Sequence, residues 1–433
     1  MSHSSLWTHL DFNNIDKTRT YIQRSKSSPL NIFVSNRGEA RLNRALSLVI
    51  PHIPRLRSFV IYADSIPDIL RDFCCTAPIL EDLVIDTISP DAQILDHTLF
   101  DGNLSSLREL SLVGVATHLP WTNMANLKVF HLSCPEGHEV TLTQLLDFLE
   151  SAPLLHTVEI VDSIPSSSDA PPERILLLHH LSTFSITADS VHPILNHLYI
   201  PIGASLRVWT VFSDEEPPLR GYLPEGSPNI RNLSHITAIN LCFHSEDKCA
   251  QLSGPSGTFR LVAHSENPTW STTDHRVLHS LSPCILSTTQ RLTISDYKHH
   301  YATKVEESPV FHTLSSMENL QTLLLSECNN RPFIFALDPE KNPSQLVLCP
   351  SLKEIVLYDI LFSHMEHLIN MAERRALRGA KLASITITGL GTPAPEKEVS
   401  ELREHATHVE YKANAPPHSW DDVPDESGSG IGG

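Results

Sequence analysis

The stretch TAPILEDLVID at residues 76–86 is echoed by SAPLLHTVEIVD at residues 151–162. In both, a small residue and a proline precede large apolar residues that keep nearly the same offsets. A phrase that drifts in sequence but keeps its apolar spacing is typical of a structural unit repeated along a chain. The period of this phrase therefore decides the fold.

The spacing follows the template L-x-x-L-x-L, in which any large apolar residue can occupy the three marked positions. The template fits Leu56/Phe59/Ile61, Leu80/Leu83/Ile85, Leu107/Leu110/Leu112, Leu127/Phe130/Leu132, Leu155/Val158/Ile160, Leu181/Phe184/Ile186, Leu206/Trp209/Val211, Ile236/Ile239/Leu241, Leu320/Leu323/Leu325, Leu352/Ile355/Leu357 and Leu382/Ile385/Ile387. Weaker matches are Phe259/Leu261, Leu292/Ile294 and Val409/Tyr411. Spacings of about 20 to 30 residues are typical of leucine-rich repeats.

Within each match, the last two apolar positions are two residues apart, so both side chains point to the same face of one short strand. Between matches the pattern becomes helical. TLTQLLDFLESAP places Leu142, Leu145, Leu146 and Leu149 on one face and predicts a helix that ends before Pro153. FSHMEHLINMAERRALRG predicts a helix with Met365, Leu368, Ile369 and Ala372 on one face, ending at Gly379.

Short parallel strands joined by helices predict an α/β fold: an irregular leucine-rich-repeat solenoid of about 12 repeats, with a curved parallel sheet inside and helices outside. A large all-β protein is the alternative, but helix-period segments disfavour it. Eight residues after the first leucine, where regular repeats carry asparagine or cysteine, only Cys328 fits, whereas Ser163 and Val115 do not. We therefore expect turns without a continuous ladder of side-chain hydrogen bonds.

Composition excludes several classes of function. The formal net charge of −18 at pH 7, from 50 acidic and 32 basic residues, disfavours nucleic acid as a partner. No apolar run is long enough to predict a membrane span, and the polar start MSHSSLWTHLDF predicts no secretory signal. Eight scattered cysteines without an export signal favour free thiols and an intracellular, cytoplasmic or nuclear location.

The sequence predicts no catalytic, cofactor or metal site, and therefore no enzyme, although a hydrolase in an unfamiliar fold is a second hypothesis. His364 and His367 are close on a predicted helix, but no third ligand has a recognisable spacing. Ser256 lacks the G-x-S-x-G spacing of a nucleophile elbow. The glycines at 389 and 391 precede prolines rather than a helix that would bind phosphate.

The predicted functional surface is the concave face of the sheet, which would bind a partly basic protein client. Outward residues of the predicted strands combine aromatic rings with charged groups, and such rings supply most of the binding energy at interfaces while charges steer association. The candidate partner-binding residues are Tyr62, Asp82, Asp86, Glu109, His131, Glu159, Phe212 and Tyr358.

The amino-terminal segment resembles a known family. Leu6, Trp7, Leu10 and Phe12 in SSLWTHLDF match the phrase that closes the F-box in fungal, chiefly mushroom-type, F-box proteins with leucine-rich repeats. TRTYIQRSKSSPLNIFV at residues 18–34 matches the segment that follows this phrase. The second phrase matches through Tyr21, Arg24, Ser25, Pro29, Leu30, Ile32 and Val34. In that family the F-box binds a Skp-type adaptor of a cullin-based ubiquitin ligase, while the repeats bind the client.

The resemblance implies three segments. Residues 1–50 would be a remnant following an F-box plus the cap of the repeats, 51–412 the repeats with loops near 163–173 and 213–229, and 413–433 a disordered tail. We expect the F-box itself to be missing before Ser5, because the chain is a fragment or truncated gene model or because the protein has lost it. The resemblance therefore implies client recognition without catalysis, and a repeat scaffold unconnected to ubiquitin is the alternative.

Overall fold

The computed structural model describes most of the chain in separate stretches. These are residues 4–12, 14–36, 39–65, 68–88, 93–95, 99–102, 104–117, 124–135, 138, 140–161, 163, 173–188, 192–212, 235–243, 247–254, 258–265, 283–295, 309–326, 328–342, 345–358, 364–388 and 396–412. The predicted loops near 163–173 and 213–229 lie almost entirely outside them, and the predicted tail at 413–433 lies wholly outside. Two compact units divide the chain, one made mainly of residues up to Val211 and the other mainly of residues from Leu233 onward.

The first unit is built on a parallel sheet whose strands follow one another in chain order. Its strands are β1 (His9–Asp11), β2 (Leu30–Asn36), β3 (Leu56–Ala63), β4 (Asp82–Thr87), β6 (Glu109–Val113), β8 (Val129–Ser133), β9 (Thr157–Val161), β11 (Thr183–Thr187) and β13 (Ser205–Phe212). Beside this sheet, two short parallel pairs form between connections. They are β5 (Gln93–Leu95) with β7 (Val115–Thr117) and β10 (Leu176–Leu177) with β12 (Leu198–Tyr199).

The connections of the first unit contain short helices. The α-helices are α1 (Ile15–Ser25), α2 (Glu39–Ser47), α3 (Leu142–Glu150) and α4 (His192–Leu195). The 3₁₀ helices are Ser4–Trp7, Ile50–Arg55, Asp68–Asp72 and Leu99–Gly102. Within the described residues of this unit, an α-helix therefore joins only some neighbouring strands.

Apolar side chains at alternate positions hold the first sheet together. On β4, Leu83 and Ile85 are completely buried, and they lie in register with Phe59 and Ile61 of β3, which are equally buried. The same alternation continues through the triplets of β6, β8, β9 and β11. Burying one such side chain contributes about 1.5–3 kcal/mol. Because these side chains pack against those of the adjacent strands, each strand is stabilised mainly by its neighbours.

Helix α3 begins with a capping box formed by Thr141 and Gln144. The Thr141 side chain accepts a hydrogen bond from the Gln144 backbone N–H at 3.2 Å, and the Gln144 side chain accepts one from the Thr141 backbone N–H at 3.1 Å. This reciprocal pair satisfies two N–H groups that would otherwise lack an acceptor within the helix. The predicted apolar residues of α3 are buried, so the helix covers the core of the first unit.

Individual polar side chains fasten some of the turns between strands. The Ser163 hydroxyl accepts a hydrogen bond from the Cys134 backbone N–H at 2.7 Å and donates to the Val161 carbonyl oxygen at 2.6 Å. In the second unit, the Cys328 thiol lies 2.9 Å from the Ser326 carbonyl oxygen and 3.2 Å from that of Ile294. Ser163 therefore stabilises its turn through side-chain hydrogen bonds, a role that the sequence led us to expect only of Cys328.

The second unit also contains a parallel sheet in chain order. Its strands are β14 (Ala238–Phe243), β17 (Arg291–Ser295), β18 (Thr322–Ser326), β19 (Glu354–Tyr358), β20 (Leu382–Thr388) and β21 (Ala406–Lys412), with β15 (Asp247–Ser253) antiparallel to β14. A further strand, β16 (Thr258–Ser265), contributes residues to both units. Helices alternate with strands here: α5 (Pro283–Thr288), α6 (Pro309–Ser315), α7 (Arg331–Leu337), α8 (Met365–Leu377) and α9 (Glu396–His405).

A buried arginine anchors the segment that leads into β19. Arg375 of α8 is fully buried, and its guanidinium donates to the carbonyl oxygens of Leu348 at 2.7 Å and Cys349 at 3.0 Å. Cys349 has a φ of 46°, in the left-handed region that L-residues seldom adopt. The hydrogen bonds from Arg375 therefore help to hold a strained backbone against the core.

The structure confirms an α/β fold with large parallel sheets, and it corrects one register. The triplet Leu206/Trp209/Val211 is wrong, because Leu206 and Val208 are buried, in register with Phe184 and Ile186, among the described side chains of β13. Trp209 lies on the other face and is 40% exposed. SLRVWTVF contains two pairs of apolar residues with strand spacing, Leu206/Val208 and Trp209/Val211, and packing against β11 selects the first pair.

Candidate interaction surface

The outward side chains of the first sheet form one partly exposed surface, here called the open face. It comprises the side chains of β1–β4, β6, β8, β9, β11 and β13 that alternate with the buried ones. Because neighbouring strands are in register, these side chains form rows across the sheet, about 4.8 Å apart from strand to strand. One row contains Asn31, Ser58, Asp82 and Glu109.

Two predicted carboxylates lie side by side in this row. Asp82 of β4 and Glu109 of β6 are register neighbours. Burial raises the pKa of Asp82, as does the negative charge of Glu81, while a hydrogen bond from Ser58 and the charges of Arg57 and Arg108 lower it. Burial also raises the pKa of Glu109, and the charge of Asp82 adds to this shift. Each carboxylate would therefore be stabilised by a further positive charge.

Tyr62 and Asp86 are also register neighbours, on β3 and β4. Asp86 lies on the same face as Asp82, four residues along the strand. Burial raises the pKa of Asp86, and the positive charge of His131 opposes this shift. The structure therefore brings Tyr62, Asp82, Asp86 and Glu109 together at three adjacent strands.

His131 and Glu159 continue the open face toward β9. They are register neighbours, and Glu159 is exposed. The His131 Nδ1 atom lies 3.4 Å from the Ser111 hydroxyl. These two predicted residues are therefore on the same face as the carboxylates.

The last two predicted residues are not part of this group. Phe212 is the final residue of β13, and its side chain lies outside the described part of the chain. Tyr358 ends β19 in the second unit, in register with Thr388, and is partly exposed.

Charged residues at the entry to the strands were missed by the sequence analysis. Glu81 lies just before β4, and its carboxylate pairs with the guanidiniums of Arg57 at 3.1 Å and Arg108 at 3.7 Å. A search limited to outward strand positions omits Glu81 because it precedes the strand. The sequence does contain a signal for these residues. In each of the segments RLRSF, ILEDL and LREL, a charged residue lies next to the first residue of the strand.

An exposed aromatic residue was missed as well. Phe33 of β2 is 50% exposed, and its ring centroid lies 5.7 Å from that of Tyr62, which is 41% exposed. Since Leu30, Ile32 and Val34 are all buried, alternation along PLNIFVSN would have placed Phe33 on the open face. The two rings form an uncovered aromatic pair.

A groove of about 510 Å³ lies on the open face beside this pair. Its lining side chains include His9 of β1, Asn31 of β2, Ser58 and Val60 of β3, and Asp82 of β4. The Asn31 side-chain amide lies 3.0 Å from His9 Nε2. The groove thus has a polar side at the strand starts and an aromatic side at Phe33.

The described residues contain no group of three His, Cys, Asp or Glu side chains that could hold a metal ion. His364 lies at the start of α8, where burial and then Arg331 lower its pKa, and the His367 ring packs edge-on against Phe335 at 4.8 Å.

Among the described helices, none is long and apolar enough to cross a membrane.

Comparison with protein-family models gives no match, and comparison with curated proteins gives none either.

Proposed function

We propose that this chain is a non-catalytic protein-interaction protein that binds a polypeptide client on the open face. We further propose that its two sheets belong to an irregular leucine-rich-repeat solenoid of about 12 repeats, with the open face on the concave side. The chain would act like the client-binding part of an F-box subunit of a cullin-type ubiquitin ligase, in the cytoplasm or nucleus.

The observation that carries this proposal is the open face of the first sheet. One face of its strands carries apolar side chains that are buried in the core, while the other carries aromatic and charged groups that are partly exposed. Nine strands about 4.8 Å apart span about 40 Å, and five residues per strand span about 17 Å. The resulting area of roughly 650 Å² approaches the 800 Å² or so that one partner buries in an ordinary interface.

Site-specific photo-crosslinking tests whether the open face binds proteins. A photoreactive amino acid is placed at Ser111 or Ser185 on the open face, and at Thr76 or Ala125, which are exposed in connections between strands. We expect protein adducts from the first two positions and few from the last two. Adducts that are equally abundant at all four positions, or absent at Ser111 and Ser185, would contradict the proposal.

Protein turnover separates the ubiquitin-linked function from the alternative, a repeat scaffold unconnected to ubiquitin. If the chain selects clients for ubiquitin transfer, proteins crosslinked at Ser111 should have longer half-lives in cells that lack the chain. Under the scaffold alternative, their half-lives should be unchanged. A binding assay with purified Skp-type adaptor tests the docking segment: robust binding would contradict the expectation that this segment is missing.

A further inference from the structure

The groove beside Phe33 has a composition that selects among polypeptide partners. Val60 lines the groove, is the register neighbour of Phe33 and lies two residues before Tyr62 on the same strand. The Phe33 and Tyr62 rings are inclined at 52° to each other, and both are substantially exposed. Aromatic rings held on a rigid strand can contact an aliphatic chain at little cost in conformational entropy.

The charge around the groove is unbalanced. Four carboxylates, from Glu81, Asp82, Asp86 and Glu109, lie on β4, β6 and the residue before β4, whereas the nearby guanidiniums are those of Arg57 and Arg108. Both guanidiniums form ion pairs with Glu81.

Asp82, Asp86 and Glu109 have no ion pair within 4.0 Å in the described part of the chain. They are therefore carboxylates near the groove whose charge is not compensated by an ion pair.

Partial burial makes this imbalance favourable for binding a cation. A carboxylate that has lost part of its hydration and has no charged partner gains more from an incoming cation than a fully hydrated one does. An anionic ligand would have to displace Glu81 from both arginines and would approach three uncompensated carboxylates. Charge complementarity therefore favours a cationic partner.

We propose that this groove binds a lysine or arginine side chain of the polypeptide client. The ammonium or guanidinium group is held by Asp82 and Glu109, and the methylene chain lies over Val60 against the Phe33 and Tyr62 rings. A long basic side chain suits both parts of the groove, because its stem is apolar and its end is charged. The cation also lies within reach of the rings, which attract positive charge. This inference rests on the proposed function of the open face and names the chemistry of its partner.

A peptide selection tests the inference directly. A library of random nonapeptides displayed on their encoding messenger RNA is selected on the immobilised full chain. We expect the recovered peptides to be enriched in lysine or arginine next to a leucine, phenylalanine or similar residue. Recovery of acidic or uncharged peptides, or no enrichment, would overturn the inference.

Variants then locate the binding site of a recovered peptide. The double substitution Asp82→Asn with Glu109→Gln should weaken binding at least about tenfold, as should replacement of the peptide's lysine by acetyl-lysine. Phe33→Thr with Tyr62→Thr should also weaken binding, because the rings would no longer cover the stem. Asp72→Asn is the matched control, because it removes an exposed carboxylate in the connection between β3 and β4, and we expect unchanged affinity. Thermal unfolding of each variant verifies that it remains folded.

Two outcomes would contradict the assignment. One is unchanged binding in both double variants, and the other is an equal loss in the Asp72→Asn control. Failure of the inference about the groove is distinguishable from failure of the proposed function of the open face. If crosslinks still form at Ser111 and Ser185 but not at Ala125, the open face binds a client by other chemistry. If they do not, the proposed function itself is wrong.

Discussion

Gly114, at the end of β6, is a position that only glycine satisfies. Its φ is +67°, its backbone N–H donates to the Ser133 carbonyl oxygen at 2.8 Å, and its own carbonyl accepts from the Thr87 hydroxyl at 2.8 Å. A Cβ atom here would collide with the Thr87 carbonyl oxygen. The site therefore combines a left-handed backbone with a close approach of two chain segments.

Gly114→Ala should destabilise the protein more than the same change at Gly379, which has a similar φ of +80° but open space around it. We expect Gly379→Ala to cost about 1 kcal/mol, from the left-handed backbone alone. Gly114→Ala should cost at least about 1–2 kcal/mol more, because the Thr87 backbone must move. Urea denaturation of both variants measures the difference, and equal losses would mean that the contact with Thr87 carries no energy.

Arg375 offers a second test, because it is buried and charged. Arg375→Met leaves the Leu348 and Cys349 carbonyl oxygens without their donor. Unsatisfied buried acceptors cost about 1–3 kcal/mol each, so we expect a loss of about 2–4 kcal/mol and faster amide exchange near residues 348–352. The matched control is Arg378→Met, which removes an exposed guanidinium that donates to the Gln345 carbonyl, and we expect a loss below about 0.5 kcal/mol.

At the scale of the strand, the carboxylates of β4 and β6 should make stability depend on pH. The pKa of Asp82, Asp86 and Glu109 is raised in the folded state, so the folded chain keeps protons that the unfolded chain has released. Stability from these groups is then greatest below about pH 4 and falls as the pH rises through their folded pKa values.

The variant combining Asp82→Asn, Asp86→Asn and Glu109→Gln should therefore gain stability over the parent protein at pH 7.5 and gain less at pH 4.5. Urea midpoints at the two pH values measure this difference. Glu159→Gln removes an exposed carboxylate of the same face and is the control. A larger gain at pH 4.5 than at pH 7.5 would contradict the direction of the shifts.

The strands differ in how far their sequence determines them. In LEDLVI and NLQTLLL, a leucine two residues before the strand and the apolar residues three and five positions after that leucine define a single register, and burial follows it. SLRVWTVF offers apolar residues at more positions than one face can hold, so its register depends on the packing of Leu206 and Val208 beside β11. In helix α8, too, the sequence alone does not determine which apolar residues are buried. Met371 is buried, while Ile369, which was predicted to be, is only partly buried.

At the scale of the whole molecule, the strands should be stabilised cooperatively by their neighbours. Leu83 is completely buried and lies in register with Phe59 on β3 and Leu110 on β6. Leu83→Asp places an uncompensated charge between them, and we expect a loss of more than about 4 kcal/mol. Amide exchange should accelerate first in β3, β4 and β6, because each repeat contacts mainly its neighbours.

Asp82→Asn is the control for this prediction. Asp82 precedes Leu83 on the same strand but points to the open face, so its substitution should change stability by less than about 0.5 kcal/mol. Comparable destabilisation by both substitutions would mean that the strand alternation described here does not determine the core.

The architecture follows from the sequence more fully than the candidate site does. A repeated apolar triplet specifies strands in chain order because every copy needs the same neighbour to cover it. The site depends on which residues of different strands become neighbours, and that depends on connection lengths. Asp82 and Glu109 are predictable as outward residues, but their adjacency, the groove and the pairing of Glu81 with both arginines appear only once the registers are fixed.

The alignment of outward side chains across the first sheet also limits what geometry a bound segment can have. Side chains on one side of an extended peptide are spaced about 6.8 Å apart, which equals the spacing of outward residues along a strand but exceeds the distance of about 4.8 Å between strands. In a peptide that crosses the strands, the mismatch between its side chains and the strands therefore grows by about 2 Å at each strand. In a peptide parallel to the strands, the side-chain spacing matches that of the outward residues. Since most of these strands are five to eight residues long, an aligned segment meets three or four outward side chains, the length of a short linear motif.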